Sequence, residues 1–303
     1  MTHSTNIQKG LFYAFVTAVI SGVAIAYSKI AVLKIDPLLL TTSRNLYVGV
    51  LFFILLLGQK KLSEIQTLRR SDVLSLFFVA VIGGTLPFYL FFSGLQWVSA
   101  PAANILHKSL FLWVALLSAL VLKETIRPVH LVIYGVMIIG IFFFSPLSIG
   151  LGKGEIRIVL ATILWSLEYI IAKKILRRVS PNIIGLFRMG IGALLLLGVL
   201  ISTRGIGVFL TYDSAQLSVV GIGGTLLFFY VFTWYRALKY APAHLVSLVL
   251  SFSIVVGALV TTTVLRVQLS AADIVSLLLV GLGTLLVVNP RILRFGAADN
   301  SSS

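Results

Sequence analysis

The chain of 303 residues contains no cysteine. That absence excludes disulfides and thiolate metal sites and leaves no redox clue to compartment. Charge is also scarce, with only 11% of residues Asp, Glu, Lys or Arg, where a water-soluble surface uses roughly a quarter. With 59% hydrophobic residues and a mean hydropathy of +1.08, lipid must cover much of the outside, which argues against a soluble protein. Acid is the scarcest charge, 9 Asp and Glu against 24 Lys and Arg. A net charge of +15 on a soluble chain would point to nucleic acid. Here the basic residues sit in short clusters between long apolar runs, the pattern of cytoplasmic membrane loops, so no nucleic-acid partner is expected.

Enzyme signatures are missing as well. Gly150-Leu151-Gly152-Lys153-Gly154 lacks P-loop spacing and a following Ser or Thr. The histidines His3, His107, His130 and His244 are scattered without ligand-spaced partners. No catalytic residue, cofactor or metal is expected.

What is present is a succession of apolar runs. About 20 apolar residues span a bilayer as a helix, and a helix satisfies the backbone groups that lipid cannot. On that template there are ten spans: Leu11–Leu33, Leu38–Leu57, Val73–Leu95, Ala100–Leu122, His130–Pro146, Ile156–Leu176, Ile183–Ser202, Leu217–Leu238, Ala243–Leu265 and Ala271–Val288. The first is longer than a signal-peptide core, with no small-residue cleavage site after it, and reads as a retained span.

The two halves repeat. Gly10, Lys29, Pro37 and Arg44 recur at one constant offset as Gly154, Lys173, Pro181 and Arg188. Gly83-Gly84-Thr85 recurs as Gly223-Gly224-Thr225, Ala100-Pro101-Ala102 as Ala241-Pro242-Ala243, and Gly140 as Gly283. Each half holds five spans, an odd number, so the second enters the membrane upside down. The loops agree. Lys60, Lys61, Arg69 and Arg70 follow span 2, whereas Arg204 alone follows span 7; span 3 is followed by no basic residue, span 8 by Arg236 and Lys239. Most basic residues fall on one side if both termini are cytoplasmic. The organisation expected is all-α and integral to the cell membrane. Ten transmembrane helices would form two inverted five-helix repeats (residues 1–149 and 150–290) around a central cavity, with a polar cytoplasmic tail at 291–303. Inverted repeats around a midplane site are a common design of secondary transporters.

Several segments carry a resemblance. Leu164-Trp165-Ser166 to Lys173 and Pro181 to Arg188-Met189-Gly190 resemble the first two helices of an EamA-type repeat. Ala237-Leu238-Lys239-Tyr240-Ala241-Pro242-Ala243 resembles its third-to-fourth helix turn. Leu122-Lys123-Glu124 with Gly135 and Gly140 resembles its fourth-to-fifth helix region. The similarity covers roughly residues 10–290 as two copies and implies the drug/metabolite transporter superfamily, whose members export or exchange amino acids, nucleotide sugars, drugs and other metabolites. Two positions depart from the pattern. Leu265-Arg266-Val267 stands where the first repeat has Glu124, and the carboxylate Glu168 occupies a helix position usually uncharged.

Candidate site residues follow from the cost of ionisable groups inside a bilayer, at least about 2.5–3.5 kcal/mol. Glu168 lies deep in span 6, as a proton site, a ligand for a cationic group, or half of a structural ion pair with Lys108 or an arginine. Lys108 lies within span 4 with Asn104 one turn before it on the same face; it either snorkels outward or holds a carboxylate or phosphate. Arg44 and Arg188, as repeat equivalents, read as structural ties to carbonyls or headgroups. Polar stripes mark one face each: Thr17, Ser21 and Ser28 on span 1, Tyr89, Ser93 and Gln96 on span 3, His244, Ser247 and Ser251 on span 9. Trp165 and Trp113 lie deep enough to line a solute path, whereas Trp97, Trp234 and Tyr235 read as an interface belt. Pro87 is expected to loosen span 3; its counterpart is Leu227, so the kink should be one-sided. The substrate-binding set is therefore Glu168, Lys108, Asn104, Tyr89, Trp165, Ser247 and Ser251. The expected function is export or exchange of a small organic metabolite, such as an amino acid, with protons as a candidate coupling ion. The alternatives are a membrane scaffold or an intramembrane lipid-handling enzyme. Substrate, direction and oligomeric state are not legible at this level.

Overall fold

The computed structural model describes residues 2–143, 152–266 and 268–289. The expected tail at 291–303, the end of the fifth span at Pro146, Gly150-Leu151 and Val267 lie outside those residues. All regular structure among the described residues is helical. The first half comprises α1 (Thr2–Lys34), α2 (Pro37–Gly58), α3 (Arg70–Val79), α4 (Leu86–Leu95), α5 (Ala100–Lys108), α6 (Leu110–Leu117) and α7 (Pro128–Phe143). The second comprises α8 (Lys153–Ile175), α9 (Pro181–Leu186), α10 (Gly192–Arg204), α11 (Ser214–Tyr240), α12 (Ala243–Leu250), α13 (Ser253–Leu265) and α14 (Ala271–Val288).

Eight helical stretches are long and apolar enough to cross a membrane, and Pro128–Ile141 is a shorter apolar helix. The chain is thus a multi-pass helical membrane protein. Of the ten expected spans, α8 falls outside the eight for a physical reason. Its 23 residues reach about 34 Å at 1.5 Å each, but they include Lys153, Glu155, Arg157, Glu168, Lys173 and Lys174.

Local chemistry sets the helix ends, and equivalent positions use equivalent devices. Asp36 accepts hydrogen bonds from the backbone N–H of Leu38 and Leu39, with Pro37 in the first turn. Ser180 accepts from Ile183 N–H, with Pro181 in the same place. Both are N-caps with a proline that donates no bond there and so loses none. Lys123 and Arg266, each ending a fourth span, both adopt a left-handed backbone with φ of 55° and 53°. Lys29 Nζ donates to the carbonyls of Leu95 (2.8 Å) and Gln96 (3.3 Å) at the end of α4. Its equivalent Lys173 donates to Leu238 and Ala241 (both 2.6 Å) at the end of α11. Each lysine thus satisfies carbonyls that its own repeat's third span leaves open.

The halves interlock instead of forming separate lobes. Helix α1 packs along α11 and α13, and its counterpart α8 packs reciprocally along α4, α5 and α6. Helix α2 packs on α9 and α10, and α7 on α14. The core between them is continuous, so any site at its centre is built by both repeats.

The third span differs between repeats, as Pro87 and Leu227 lead one to expect. Helix α11 runs unbroken for 27 residues, whereas α3 and α4 are joined by a π-helical segment, Ala80–Thr85. Proline cannot donate to the carbonyl four residues back. Gly83 O is therefore free of that bond, and the Trp165 indole N–H takes it at 3.0 Å. A second π segment, Phe187–Ile191, interrupts the span of α9 and α10 and carries Arg188; such segments gather at functional sites.

Candidate functional site

At the centre of the bundle lies a partly enclosed cavity. The first repeat contributes Ser21, Ala24, Ser28 and Arg44 together with Phe88, Phe91, Phe92 and His107. The second contributes Trp165, Glu168, Tyr169, Arg188, Tyr230 and Trp234. The aromatic groups form a continuous wall. Phe92 lies 6.0 Å from Phe88 and 5.7 Å from Phe91; both pack on Trp165, at 5.4 and 5.5 Å between ring centres, and Trp165 meets His107 at 4.8 Å.

Glu168 is completely buried and held from three directions. Arg188 Nε lies 2.7 Å from Oε1, Arg188 Nη2 donates to Oε2 at 3.0 Å, and the Tyr235 hydroxyl donates to Oε1 at 2.7 Å. One guanidinium hydrogen bond, the close ionic contact of Nε and a phenol hydroxyl hold the carboxylate, although Arg188 Nε itself makes no hydrogen bond. Gly83 allows this approach, since a Cβ there would run into the Glu168 carboxyl group. Arg188 is further stacked between Phe88 and Trp234, at 5.2 and 5.0 Å from the ring centres.

Arg44 is equally buried, at 2% exposure, but partnered differently. Its Nη1 donates to Ser28 Oγ at 3.0 Å and its Nη2 to Gly223 O at 2.9 Å. It stands 5.1 Å over the Phe92 ring. Its Nε has no hydrogen-bond partner.

The structure brings some of the expected site residues together and separates others. Glu168 and Trp165 line the cavity. Glu168 takes Arg188 as its partner, not Lys108. Lys108 is buried and donates to Ser21 Oγ at 3.3 Å, so it stands behind a cavity-lining serine and does not snorkel. Asn104 donates to Ser253 O at 3.3 Å and lines a separate smaller cavity with Gly22, Gly257 and Thr261. Tyr89 is 41% exposed on the outer surface, because its face of α4 points away from α8. Ser247 and Ser251 bond to the carbonyls of His244 and Ser247 in their own helix and do not line the cavity, a common fate of serine in membrane helices. Trp113 is 40% exposed.

Sequence reasoning placed Arg44, Arg188, Trp234 and Tyr235 outside the site, and all four belong to it. Trp234 and Tyr235 are buried at 1% and 0% exposure, not part of an interface belt, because α11 continues past them to Tyr240. The signal that could have found the arginines was their depth: each lies inside an apolar run at one matched position. Among the described residues no group of His, Asp or Glu side chains is arranged to hold a metal ion.

A second cluster ties the repeats together at a helix end. Glu124, in the turn before α7, accepts from Ala243 N–H at 2.9 Å and His244 N–H at 3.3 Å, and lies 2.7 Å from His244 Nδ1. It caps α12, a helix of the other repeat. Burial pushes the Glu124 carboxyl up, but the bonds from the His244 ring and from the backbone of Ala243 and His244 outweigh it and hold it below the ordinary glutamate value.

The model of a family described as the EamA-like transporter family matches twice, over residues 8–145 and 152–289. The chain belongs to the EamA-like transporter family. No curated protein matches the sequence. Chains of solved structures do, 29 of them. One, described as "Crystal structure of protein", superposes with a TM-score of 0.75 at 16% identity, covering 94% of this chain and 99% of that one. At that identity the likeness shows the fold alone. The two family matches meet in the cavity, with Arg44 in the first and Glu168 and Arg188 in the second. The first repeat's Glu124 is a contact between repeats and does not line this central cavity.

Proposed function

We propose that this chain is a secondary transporter that carries a small organic solute across the cytoplasmic membrane by alternating access. Its ten spans, with α8 as the sixth, would form two inverted five-helix repeats with both termini in the cytoplasm. The observation that carries the reading is the central cavity lined by residues of both repeats. A solute held there contacts both repeats, so movement of one against the other changes the side to which it is exposed. A scaffold has no use for such a cavity. A lipid-handling enzyme needs paired catalytic groups, and the one acid lining the cavity among the described residues is fully engaged by Arg188 and Tyr235. The same engagement favours a structural role for Glu168 over a proton site.

Proteoliposome flux measured over amino acids, nucleotide sugars and amphipathic amines tests transport directly; no flux of any solute from well-folded protein sinks the reading. Reporters fused after Arg69 and Arg177 should be cytoplasmic and one after Lys153 external, and opposite sidedness at any of them defeats the inverted arrangement. Glu168→Gln, if it folds, should leave any proton-driven accumulation unchanged. Abolished accumulation with intact exchange at equal pH would restore Glu168 as a coupling site.

A further inference from the structure

Ala24 occupies the place of Glu168. The register that matches Lys29 with Lys173 and Arg44 with Arg188 also matches position 24 with 168, and both residues line the cavity. The two repeats therefore present two buried guanidinium groups to one cavity, but a carboxylate to only one of them. Arg188 is neutralised by Glu168. Among the described residues no ion pair is made by Arg44 or Lys108. Their hydrogen-bond partners, Ser28 and Ser21, lie seven residues apart on α1, about 10 Å along one face. The cavity thus holds one cancelled pair and one uncompensated guanidinium.

A buried cation without a counter-ion is costly, and Arg44 is held by a serine hydroxyl, a carbonyl and an aromatic ring, none of them an acid. Its Nε is unpartnered, and a guanidinium presents its donors in a fork shaped for a carboxylate or phosphate. The aromatic wall begins at the Phe92 ring beneath Arg44 and runs through Phe88 and Phe91 to Trp165. We infer that the cavity binds an organic anion with an aromatic or planar apolar body, its anionic head on Arg44 and its body along Phe92, Phe88, Phe91 and Trp165. The inference rests on the transporter reading and narrows its substrate class.

The test uses the full chain purified in detergent and three probes of one shape and different charge: benzoate, benzamide and benzylamine. Calorimetric titration should show benzoate binding at least tenfold tighter than benzamide, with benzylamine weakest. Ala24→Glu supplies Arg44 with the carboxylate that Arg188 already has. It should weaken benzoate at least tenfold while leaving the melting temperature equal or higher. Should that variant not fold, Arg44→Gln should give the same loss of benzoate. Benzylamine binding as tightly as benzoate, or a folded Ala24→Glu protein with unchanged benzoate affinity, overturns the inference. Displacement of benzoate by phosphatidylglycerol but by no soluble carboxylate also overturns it, by making the anion a lipid headgroup. The two readings fail separately. Benzoate binding without flux of any solute ends the transporter reading and keeps the anion site. Flux of amines or sugars with no benzoate binding ends the anion site and keeps the transporter.

Discussion

The two guanidinium sites began as copies and now differ in what surrounds them. Arg188 sits on a π-helical segment, clasps Glu168 and is sandwiched by Phe88 and Trp234. Arg44 sits on the regular helix α2, lines the same cavity as Ala24, and has one serine and one carbonyl for partners. Burial is the same in both. What differs is closure: the Arg188 site has satisfied its charge internally, and the Arg44 site has not. A duplicated fold can thus hold its centre rigidly on one side of the pseudo-symmetry axis and leave the other side available to a ligand.

The largest expected effect breaks the closed pair. Glu168→Ala strands a buried guanidinium and should cost about 3–5 kcal/mol, read as a fall in melting temperature in detergent. Replacing both Glu168 and Arg188 with leucine should recover most of that loss. Arg44→Met removes a cation that has no acid partner and should cost less than about 1 kcal/mol, within the usual span of a substitution that strands no charge. Equal losses for Glu168→Ala and Arg44→Met would end the contrast between the sites.

Glycine substitutions sharpen it. Gly83→Ala drives a methyl into a carboxyl group locked by three contacts and should cost about 1–3 kcal/mol. Its equivalent Gly223→Ala places a Cβ 3.0 Å from Arg44 Cζ and Nε, a less severe approach than the one at Gly83, and should cost less in the same assay.

Glu124 tests the asymmetry at the helix ends. Glu124→Gln keeps the shape of the cap on α12 but loses its charge, and should cost about 1–2 kcal/mol. The carboxyl is held below its ordinary value in the folded state, so its contribution is full above the unfolded glutamate value and is lost as pH falls through the lowered one. Acid melting curves of wild type and Glu124→Gln should therefore converge at low pH and separate above it. Curves that stay parallel would deny the cap its charge.

The smallest effect concerns Pro87. Pro87→Leu installs the residue found at the equivalent position 227, restores a donor to Gly83 O and competes with Trp165 for it. Stability should change by no more than about 1 kcal/mol, while hydrogen exchange across residues 80–87 should slow toward that of α11. Unchanged exchange would mean that the π segment has another cause.

Much of this was legible in the sequence, and the rest failed for specific reasons. Run length gave the membrane class, and matched residues such as Lys29 and Lys173 gave the repeat, because both depend on local composition. Pro87 against Leu227 foretold the one-sided break. Glu168 announced itself as a deep carboxylate, but its partner depended on how α8 meets the π segment Phe187–Ile191, a packing fact with no local signature. The arginines were read as structural because symmetry suggested equal roles; position 24 carries the asymmetry, and alanine is silent in a scan for charge. Tyr89, Ser247 and Ser251 fit a periodic stripe, yet a stripe gives a face without saying whether protein or lipid meets it.

Lys29 and Lys173 have one more implication. Each closes the end of its own repeat's third span with two carbonyl bonds, and in the proposed cycle the two clasps open on different sides. The resting balance between the two open forms then depends on the difference between the clasps, not on the strength of either, with a tenfold shift in population for every 1.4 kcal/mol or so. Inheriting the same lysine twice sets that difference near zero from the outset. Selection acting on the neighbours of either lysine can then bias the resting state in small steps, without touching the residues that meet the solute.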